Sequence, residues 1–569
     1  MTNDFSQSAL QHLIDIGVEL STEQDTTKLL EHILVSAKQL SQSDGGTIYS
    51  ITDKQTLKFE TLLNDTLNMY MGGTSGKPIP FPEIPMYVDG EPNYNALVAY
   101  AAATDQVINI SDAYEAGDFD MSAARRMDEK TGYRTKSVLT IPMKNHEQEL
   151  IGVLQLINAQ DGDKIVDFEP QVETIIRSLT SMAAVALTNR QLIDGMEELF
   201  QSLTRLIARA IDEKSPYTGG HCNRVPELTM MVAEAVCNQD IGPLTDFHMD
   251  EKDKYELSVA GWLHDCGKIA TPEYVMDKAT KLETIHDRIH LVECRIELAK
   301  AEIRNEYQTK MIEALKAGQT ATQLEQELEQ TLTELDEDRA FLCKANVGGE
   351  FMKPEDQQRV KDIADKRHVT INGKTQPLLS ENEIYNLSIP KGTLTPEERE
   401  IINNHMVVTI DMLESLPFPK HLRNVPEYAG GHHEKMDGTG YPRKLKRDEM
   451  SVPARMMAIA DIFEALTAAD RPYKPPKKLS ECLRIMGFMK LDSHIDPDLF
   501  DAFVDQKVYL DYAYQYLQPA KGVARPVPID AHIVPWYPIY MLLRGTCSPP
   551  RFGKRMISPA SRAGIFRMM

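Results

Sequence analysis

A heptad pattern of apolar residues runs through the middle of the chain and limits how the whole molecule can fold. Its steps alternate between three and four residues, a spacing that predicts one long helix with a single seam. Asn189 is the polar member of the seam, and Gly195 weakens the helix by about 1 kcal/mol relative to alanine. The pattern favours a parallel homodimer through a coiled coil, and the alternative is an amphipathic helix packed on its own domain. The predicted seam consists of Val172, Ile175, Leu179, Met182, Ala186, Asn189, Ile193, Met196, Phe200, Leu203, Ile207 and Ala210.

The length of the chain requires more than one hydrophobic core. At 569 residues it exceeds the size at which single cores stop growing. We therefore predict a multidomain protein with an α/β sensor domain over residues 1–170, a coiled-coil linker helix over 171–211, and an all-α domain over 212–520 with a helical insertion at about 279–391. The remaining residues, 521–569, are basic. Disorder, a basic anchor for a partner, and a stretch outside the natural reading frame are the interpretations that stay open for this tail.

The first 170 residues combine helical and strand patterns. Helical spacing covers residues 8–40, and strand patterns follow at 46–51, 57–63, 137–143 and 150–158, the last two joined by a polar turn typical of a hairpin. A leading helix, a mixed sheet and a closing helix resemble a GAF sensory domain. The resemblance leaves the ligand unknown, because the Asn-Lys-Phe-Asp-Glu signature of cyclic-nucleotide-binding members is missing after Asn158. A packing or dimerisation domain without a ligand is the alternative.

The composition limits the kinds of partner that the protein can bind and the cellular compartment that we expect for it. A formal net charge of -23 argues against binding a nucleic-acid polymer, since phosphate backbones need a basic surface. The 7 cysteines are scattered without a C-x-x-C pair, unlike those of a disulfide framework or a zinc ribbon. We find no signal peptide between Met1 and Leu20 and no apolar run of about 18 residues. A cytoplasmic protein without a membrane span is therefore predicted.

Two short motifs contain the residue types of a metal site. One is Gly-Gly-His-His-Glu-Lys-Met-Asp-Gly-Thr-Gly-Tyr-Pro at residues 430–442, and the other is His-Asp-Cys-Gly-Lys at residues 264–268. Imidazole together with carboxylate suits a divalent ion such as iron, manganese or zinc. Asp461 stands in an apolar helical pattern, where an unpaired carboxylate would be costly. Ligation of a metal would remove that cost.

These motifs, in this order, resemble the HD-GYP subclass of the HD phosphohydrolases, whose members hydrolyse cyclic dinucleotides, chiefly cyclic di-GMP. The resemblance covers about residues 203–517 and implies two metal ions that share Asp265. It implies Asp265 and Lys268 as catalytic residues. The metal ligands that it implies are His221, His264, Asp265, His405, His432, His433 and Asp461. The substrate contacts that it implies are Gly440, Tyr441, Arg471 and Lys474.

The chain departs from the pattern of this family in two places. Some members carry a glutamate, associated with a third metal, four residues before the first histidine; here that position is Tyr217, so we expect two ions. Iron or manganese is expected because a mixed histidine and carboxylate set with an open position suits them. The insertion holds two charged helical patterns joined around Gly318, which predict a helical hairpin, and its His286 and His290 are interpreted as surface residues.

The expected function is that of a GAF-regulated phosphodiesterase that converts cyclic di-GMP to the linear dinucleotide or to GMP. A phosphodiesterase specific for cyclic GMP-AMP is one alternative. A signalling adaptor that binds the nucleotide or a signalling protein with weak or no turnover is another. A nucleoside phosphohydrolase of the broader HD group is disfavoured by the complete Gly-Tyr-Pro motif at residues 440–442.

Overall fold

The structure is a computed structural model that describes residues 2–117, 119–214, 220–240, 242–349, 351–468 and 477–517. The chain divides into two compact units, Met1–Phe200 and Gln201–Met569. This division falls inside one long helix, whereas the sequence predicts boundaries near residues 170 and 211; those domain limits stay a prediction. Among the described helices, none is long and apolar enough to cross a membrane.

The N-terminal unit is built on an antiparallel sheet with helices on both faces. Its helices are α1 (Thr2–Thr22), α2 (Thr26–Ser41), α3 (Leu97–Thr104), α4 (Ser122–Thr131) and the first part of α5 (Pro170–Lys214). Its strands are β1 (Ser43–Ile51), β2 (Thr56–Asn64), β3 (Met69–Gly72), β4 (Ile84–Pro85), β5 (Tyr87–Val88), β6 (Glu91–Pro92), β7 (Ile108–Ile110), β8 (Val138–Lys144), β9 (Leu150–Asp161) and β10 (Lys164–Val166). The main sheet has the order β3-β2-β1-β9-β8-β7, with β4 paired to β2 and β10 paired to β9, while β5 and β6 pair separately.

The two faces of this sheet belong to different cores. Ile48 and Leu154, which are paired across β1 and β9, lie in the core formed with α2 and α5. The adjacent pair, Tyr49 and Val153, lies in the core formed with α3, because successive strand residues point to opposite faces. The predicted α/β fold is confirmed, including its four strands and the β8-β9 hairpin. The expected mixed sheet is wrong, because the described pairings of this sheet are all antiparallel.

The helical pattern over residues 8–40 forms two helices instead of one. The break is made by Asp25, whose side chain caps α2 by accepting hydrogen bonds from the backbone nitrogens of Thr27 (2.8 Å) and Lys28 (3.2 Å). A capping aspartate satisfies donors that have no partner inside the helix. The apolar periodicity alone does not reveal this interruption, since it continues on both sides of the cap.

A cavity of about 410 Å³ lies on the α3 side of the sheet. Its wall is largely apolar and includes Phe59 and Leu67. Asp128, one of its polar lining residues, accepts hydrogen bonds from the Thr135 backbone nitrogen (2.8 Å) and the Tyr114 hydroxyl (3.0 Å). This carboxylate is therefore already engaged within the fold. The polar lining residues are Thr47, Asn64, Asn95, Asp120, Asp128, Thr131, Tyr133, Thr135 and Gln155.

Helix α5 confirms the predicted long helix but places its apolar residues in two environments. Toward its start, five of them are buried in the core of the N-terminal unit: Ile176, Leu179, Ala183, Ala184 and Leu187. Further along, seven apolar residues are exposed: Leu192, Ile193, Met196, Leu199, Leu203, Leu206 and Ile207. Five of them lie at heptad spacing, and we call these the α5 stripe: Leu192, Met196, Leu199, Leu203 and Leu206.

Of the predicted seam, Leu179 is buried in this core, and Val172 and Ala186 pack against it. These three residues are therefore used within one chain, and the dimer stays a prediction. In the second half, four members of the predicted seam are exposed: Ile193, Met196, Leu203 and Ile207. Leu192, Leu199 and Leu206 of the α5 stripe are exposed beside them.

The C-terminal unit is mostly helical. Its helices before the insertion are α6 (His221–Cys237), α7 (Glu251–Leu263) and α8 (Glu273–Met276), with a 3-10 turn at Cys266–Ala270. The insertion contains α9 (Ile289–Lys316), α10 (Thr322–Asn346), α11 (Pro354–Lys366), β11 (His368–Ile371), β12 (Lys374–Pro377) and α12 (Glu381–Leu387). After it come α13 (Pro396–Asn403), α14 (His405–Glu414), α15 (Val425–Gly430), α16 (Val452–Thr467), α17 (Leu479–Leu491), α18 (Pro497–Asp505) and α19 (Val508–Tyr516).

The insertion has a small core of its own. Helices α9 and α10 form the predicted hairpin around Gly318, whose φ of 71° favours glycine. The prediction of an all-α domain omits the hairpin of β11 and β12, since two runs of four residues are too short to give a strand periodicity. At the base of the insertion the buried Lys281 ammonium donates to the carbonyls of Leu387 (2.8 Å) and Ile389 (2.8 Å). The two ends of the insertion are thereby held together.

Candidate metal centre

Five separate elements of the C-terminal unit bring the predicted metal ligands together. His221 and His405 are the first residues of α6 and α14, and Asp461 lies within α16. The other four follow the carboxyl ends of α7 and α15. Helix ends are suited to this task because a short change of backbone direction lets a side chain leave the helix surface. The structure places the following ligand sets within 4.8 Å: His221, His264 and Asp265; and Asp265, His405, His432 and His433.

Asp265 lies between the two sets and belongs to both of them. Its Oδ2 atom is 3.3 Å from the Nε2 of His221 and 3.1 Å from the Nε2 of His264. Its Oδ1 atom is 3.4 Å from the Nε2 of His405. One carboxylate can therefore present one oxygen to each set, as the predicted sharing of Asp265 requires.

Asp461 adds a second carboxylate on the side of His221. Its Oδ1 atom is 3.3 Å from the Nε2 of His221 and 3.9 Å from the Nε2 of His264. Burial acts to raise the pKa of Asp461, but the hydrogen bond from His221 and the charge of that imidazole hold the pKa below its usual range. The awkward position of this acid in an apolar helix is thus explained by its histidine neighbours.

Three of the histidines are oriented by the same local contact. The Nδ1 atom of each donates to the carbonyl three residues earlier: His264 to Gly261 (2.7 Å), His405 to Ile402 (2.5 Å) and His432 to Ala429 (2.7 Å). A hydrogen bond at Nδ1 fixes the tautomer and leaves the Nε2 lone pair available. These backbone contacts therefore aim three Nε2 atoms at the centre.

The donor atoms of the centre fit a divalent cation. Within the described residues, four of them are buried without a hydrogen-bond partner: His264 Nε2, Asp265 Oδ1, His405 Nε2 and His432 Nε2. Each buried polar atom left unpaired costs about 1–3 kcal/mol, so four in one place indicate a missing partner. Imidazole nitrogen with carboxylate oxygen suits a borderline divalent metal. The C-terminal unit therefore contains groups able to bind a metal ion.

The pKa values of the histidines are shifted in opposite directions on the two sides of the centre. Burial and the nearby His264 lower the pKa of His432 to about 4, and burial and His432 lower the pKa of His433 well below its usual value. Both are neutral near pH 7, the form that binds metals. Burial also acts to lower the pKa of His221, but the Glu464 carboxylate raises it well above the ordinary value.

Glu464 is a further residue of the candidate centre, and the sequence analysis misses it. It is buried, accepts a hydrogen bond from the Nδ1 of His221, and is itself bound by the Arg224 guanidinium at 2.7 Å. Burial acts to raise the pKa of Glu464, but the charge of His221 holds it at about 2. A carboxylate behind a ligating histidine orients the ring and raises its basicity. Its signal in the sequence is the spacing of three residues, which sets Glu464 beside Asp461 and Arg224 beside His221 on their helices.

Lys268 forms an ion pair with Asp265. Its Nζ atom is 2.5 Å from Asp265 Oδ2. Burial acts to lower the pKa of Lys268, but the charge of Asp265 raises it, so the side chain is an ammonium at neutral pH. The predicted catalytic pair is therefore brought together as an ion pair, and its role toward a substrate stays a prediction.

The loop after His433 is shaped by backbone contacts. The His433 and Tyr441 rings are stacked with centroids 4.9 Å apart. A Cβ atom on Gly440 would come within 2.4 Å of the Lys435 nitrogen and 2.5 Å of the Glu434 Cα, so only glycine fits there. The buried Glu434 carboxylate accepts backbone hydrogen bonds from residues 443, 444 and 445. The structure thus places Gly440 in the packing of the loop, whereas Tyr441 lies against a predicted ligand.

Gly267 joins the two halves of the centre. A Cβ atom there would come within 2.0 Å of the His405 carbonyl oxygen and 2.5 Å of the Thr409 nitrogen. Its own backbone nitrogen donates to the Thr409 hydroxyl at 2.9 Å. The 3-10 turn after Asp265 can therefore lie directly on the first turn of α14.

Some predicted residues lie elsewhere or outside the described part of the chain. Tyr217, Arg471 and Lys474 fall outside the described residues, as does the tail at 521–569. His286 and His290 are exposed on the insertion, and His290 Nδ1 is 3.2 Å from Glu293. Neither belongs to the described ligand sets, in line with their interpretation as surface residues.

Comparison with known proteins identifies both units. A sequence model of the GAF domain matches residues 25–187, and a sequence model of the HD domain matches residues 381–499. The chain therefore carries a GAF domain in its N-terminal unit and an HD domain in its C-terminal unit. The HD match begins near the end of the insertion, so it includes His405 and Asp461 but not His221 or Asp265.

Three of the similar proteins, from two bacteria, are named as phosphodiesterases of cyclic dinucleotides. A probable cyclic di-GMP phosphodiesterase of Vibrio cholerae is 37% identical over 151 residues, which are 26% of this chain and 33% of the relative. The 3'3'-cGAMP-specific phosphodiesterase 1 of the same organism is 45% identical over 80 residues, 14% of this chain and 18% of the relative. A cyclic di-GMP phosphodiesterase of Thermotoga maritima is 40% identical over 115 residues, 20% of this chain and 30% of the relative. The chain thus spans about a third or less of each of these proteins.

Proposed function

We propose that this protein is a metal-dependent phosphodiesterase of the HD-GYP type that hydrolyses a cyclic dinucleotide, with cyclic di-GMP as the first candidate substrate. The observation that carries the proposal is the pair of ligand sets that share Asp265. Two metal ions held close together can stabilise both the attacking and the leaving oxygen of a phosphodiester. The names of the similar proteins support the substrate class.

Two divalent ions per chain, iron or manganese, are the proposed cofactors. When bound, such a pair lowers the pKa of a coordinated water and neutralises charge at the phosphate. The protein's own contribution is to hold the ligands. Asp265 serves both ions, Glu464 keeps the His221 ring in place, and neutral His432 and His433 bind without first losing a proton.

Cationic and aromatic side chains are the proposed substrate contacts. Lys268 holds Asp265 by its ammonium and is placed to donate a proton to the leaving ribose oxygen or to bind a phosphate oxygen. Burial raises the pKa of the Tyr441 hydroxyl, so this group keeps its proton and can donate a hydrogen bond. Arg471 and Lys474 are proposed to bind the phosphates on the resemblance alone, with arginine suited to bidentate contacts.

Cyclic GMP-AMP is the second candidate substrate, because one of the similar proteins is named as specific for it. A signalling adaptor without turnover is the weaker candidate. An adaptor has no need of unpaired ligand atoms, and the four that are buried here would only cost stability. The intact ligand set therefore favours an enzyme.

We further propose that the GAF domain regulates the phosphodiesterase activity and that the protein forms a parallel homodimer. The α5 stripe repeats at steps of four and three residues and is exposed, the pattern of a two-stranded coiled coil. A second copy of this chain is its proposed occupant. We place the protein in the cytoplasm, where a nucleotide messenger would reach it, and its GAF ligand stays open.

The test is the identification of products. Purified full-length protein loaded with Mn²⁺ is incubated separately with cyclic di-GMP and 3'3'-cGAMP, and the products are separated by chromatography. We expect the linear dinucleotide or GMP from cyclic di-GMP, and none from the Asp461→Asn variant. Product from 3'3'-cGAMP alone would make that molecule the substrate. Tight binding of an unchanged nucleotide by the wild type would instead favour the adaptor.

A further inference from the structure

The last turn of α5 contacts the start of the helix that carries His221. Asp212 is 8% exposed; its Oδ2 atom accepts a hydrogen bond from the Gly220 nitrogen (3.1 Å) and its Oδ1 atom accepts one from the Cys222 nitrogen (3.4 Å). Backbone nitrogens at the start of a helix have no acceptor within that helix. Gly220 has no side chain to cap α6, so Asp212 supplies the carboxylate from another helix. The two contacts flank His221 on either side.

The same turn of α5 also contacts the segment that carries Lys268. The Lys214 ammonium donates to three carbonyl oxygens at the end of the 3-10 turn Cys266–Ala270: those of Lys268 (3.3 Å), Ile269 and Thr271 (2.7 Å). An ammonium has three donors, and each of them finds a carbonyl here. Lys268 itself pairs with Asp265. Lys214 therefore contacts the backbone of Lys268, and the Lys268 side chain contacts Asp265, the ligand that both metal sets share.

We propose that Asp212 and Lys214 are positioning residues through which helix α5 sets the geometry of the metal centre, Asp212 acting on His221 and Lys214 acting on Lys268. Because the two side chains project from the same helical turn, a rotation or shift of α5 moves both sets of hydrogen bonds together. Helix α5 begins at Pro170, in the unit that carries the GAF domain. A displacement at that end of the helix can therefore reach the contacts of Asp212 and Lys214 through the backbone of α5.

The inference rests on the proposed metal centre, and its test separates the two. The full-length protein is compared with Asp212→Ala, Lys214→Met and Lys214→Arg. Glu213→Gln is the matched control, because Glu213 lies between the two residues but is 75% exposed and pairs only loosely with Arg209 at 3.9 Å. Calorimetric titration with Mn²⁺ reports the ligands, and steady-state turnover of cyclic di-GMP reports the chemistry. Circular dichroism verifies the fold of each variant.

We expect the two positioning residues to have different effects. Asp212→Ala should weaken Mn²⁺ binding about tenfold or more, the usual effect of removing a contact behind a ligand. Lys214→Met should keep the wild-type number of bound ions but lower kcat about tenfold with KM nearly unchanged, because Lys268 is displaced while the ligands are not. Lys214→Arg should recover most of the kcat, since a guanidinium can still donate to several carbonyls.

Two outcomes would overturn the inference. One is folded Asp212→Ala and Lys214→Met variants with the Mn²⁺ affinity and kcat of the Glu213→Gln control. The other is a kcat for Lys214→Arg as low as that for Lys214→Met, which would mean that the site needs the lysine itself. If Lys214→Met does not fold, Lys214→Gln, which keeps an amide donor, takes its place with the same expectations. A wild type that turns over no cyclic dinucleotide, together with weaker Mn²⁺ binding by Asp212→Ala, would contradict the proposed substrate but support the positioning role.

Discussion

The metal centre of the C-terminal unit and the cavity of the N-terminal unit treat their buried polar groups in opposite ways. In the centre, four buried donor atoms have no hydrogen-bond partner among the described residues. In the cavity, Asp128 has its oxygens engaged by Thr135 and Tyr114, and much of the remaining wall is apolar. A site that binds a cation must keep ligand atoms unpaired, whereas a cavity with engaged polar groups offers shape and apolar surface. The first is therefore equipped to bind a cation, whereas Asp128 in the second is used by the fold itself.

The largest effect is expected from the residue that both ligand sets share. Asp265→Asn removes the charge between the two sets but keeps the size of the side chain. Turnover of the cyclic dinucleotide should fall by about three orders of magnitude or more, while the helical content stays that of the wild type. Steady-state kinetics and circular dichroism measure the two quantities. Wild-type turnover in this variant would contradict the assignment of the centre.

A large effect is also expected where the two halves of the centre meet. Gly267→Ala would place a methyl group against the His405 carbonyl and the first turn of α14. Overpacking of this kind costs about 1–3 kcal/mol, and a shift of about 1 Å between reacting groups can cost about a hundredfold in rate. The matched control is Gly349→Ala, since a Cβ atom at Gly349 meets nothing within 4 Å. Thermal unfolding and turnover distinguish them; equal values for the two variants would show that the close approach is unimportant.

The insertion separates the ligands in sequence but contributes none of them. Replacing Glu283–Ser388 by a Gly/Ser linker, with Lys281→Met to remove the ammonium that loses its Leu387 carbonyl, should leave the metal content unchanged and part of the turnover intact. Elemental analysis and kinetics provide the measurement. The control is the full chain with His286→Ala and His290→Ala, which should bind metal normally. Loss of metal from both proteins would make one of these histidines a ligand.

The smallest effect on chemistry is expected from filling the cavity. Leu67→Trp adds a large side chain to its wall, which lies in the other unit of the chain. Mn²⁺ content should be unchanged and basal turnover should stay within about twofold of the wild type, as for independent sites. A tenfold change in turnover at full metal content would show instead that the cavity acts on the centre.

The contrast between the two regions also explains what the sequence could predict. His405 is predicted across the insertion because the order of the motifs resembles that of the HD-GYP subclass, which implies a histidine ligand after the His-Asp motif. The β1, β2, β8 and β9 strands are predicted because their runs are rich in residues that favour strands and are bounded by polar turns. The cavity has no comparable signal, since Phe59 or Leu67 in a cavity wall looks like an ordinary core residue.

The failures have physical causes as well. The apolar residues at the start of α5 are attributed to a dimer, but a helix packed on its own sheet repeats with nearly the same period. Glu464 is missed because its role depends on the approach of α6 to α16, and its spacing of three residues from Asp461 does not reveal that tertiary contact. The contacts of Asp212 and Lys214 are of the same kind. What remains hidden from the sequence is which buried groups meet across separate helices.

The central claim is that two ligand sets share Asp265, and the count of bound metal tests it most directly. Elemental analysis of the full-length protein loaded with Mn²⁺ should give about two ions per chain, the number used by two-metal hydrolases. Asp265→Asn should retain one ion at most, since each set loses the same carboxylate. A wild-type value of one or three, or two ions kept by Asp265→Asn, would contradict the account.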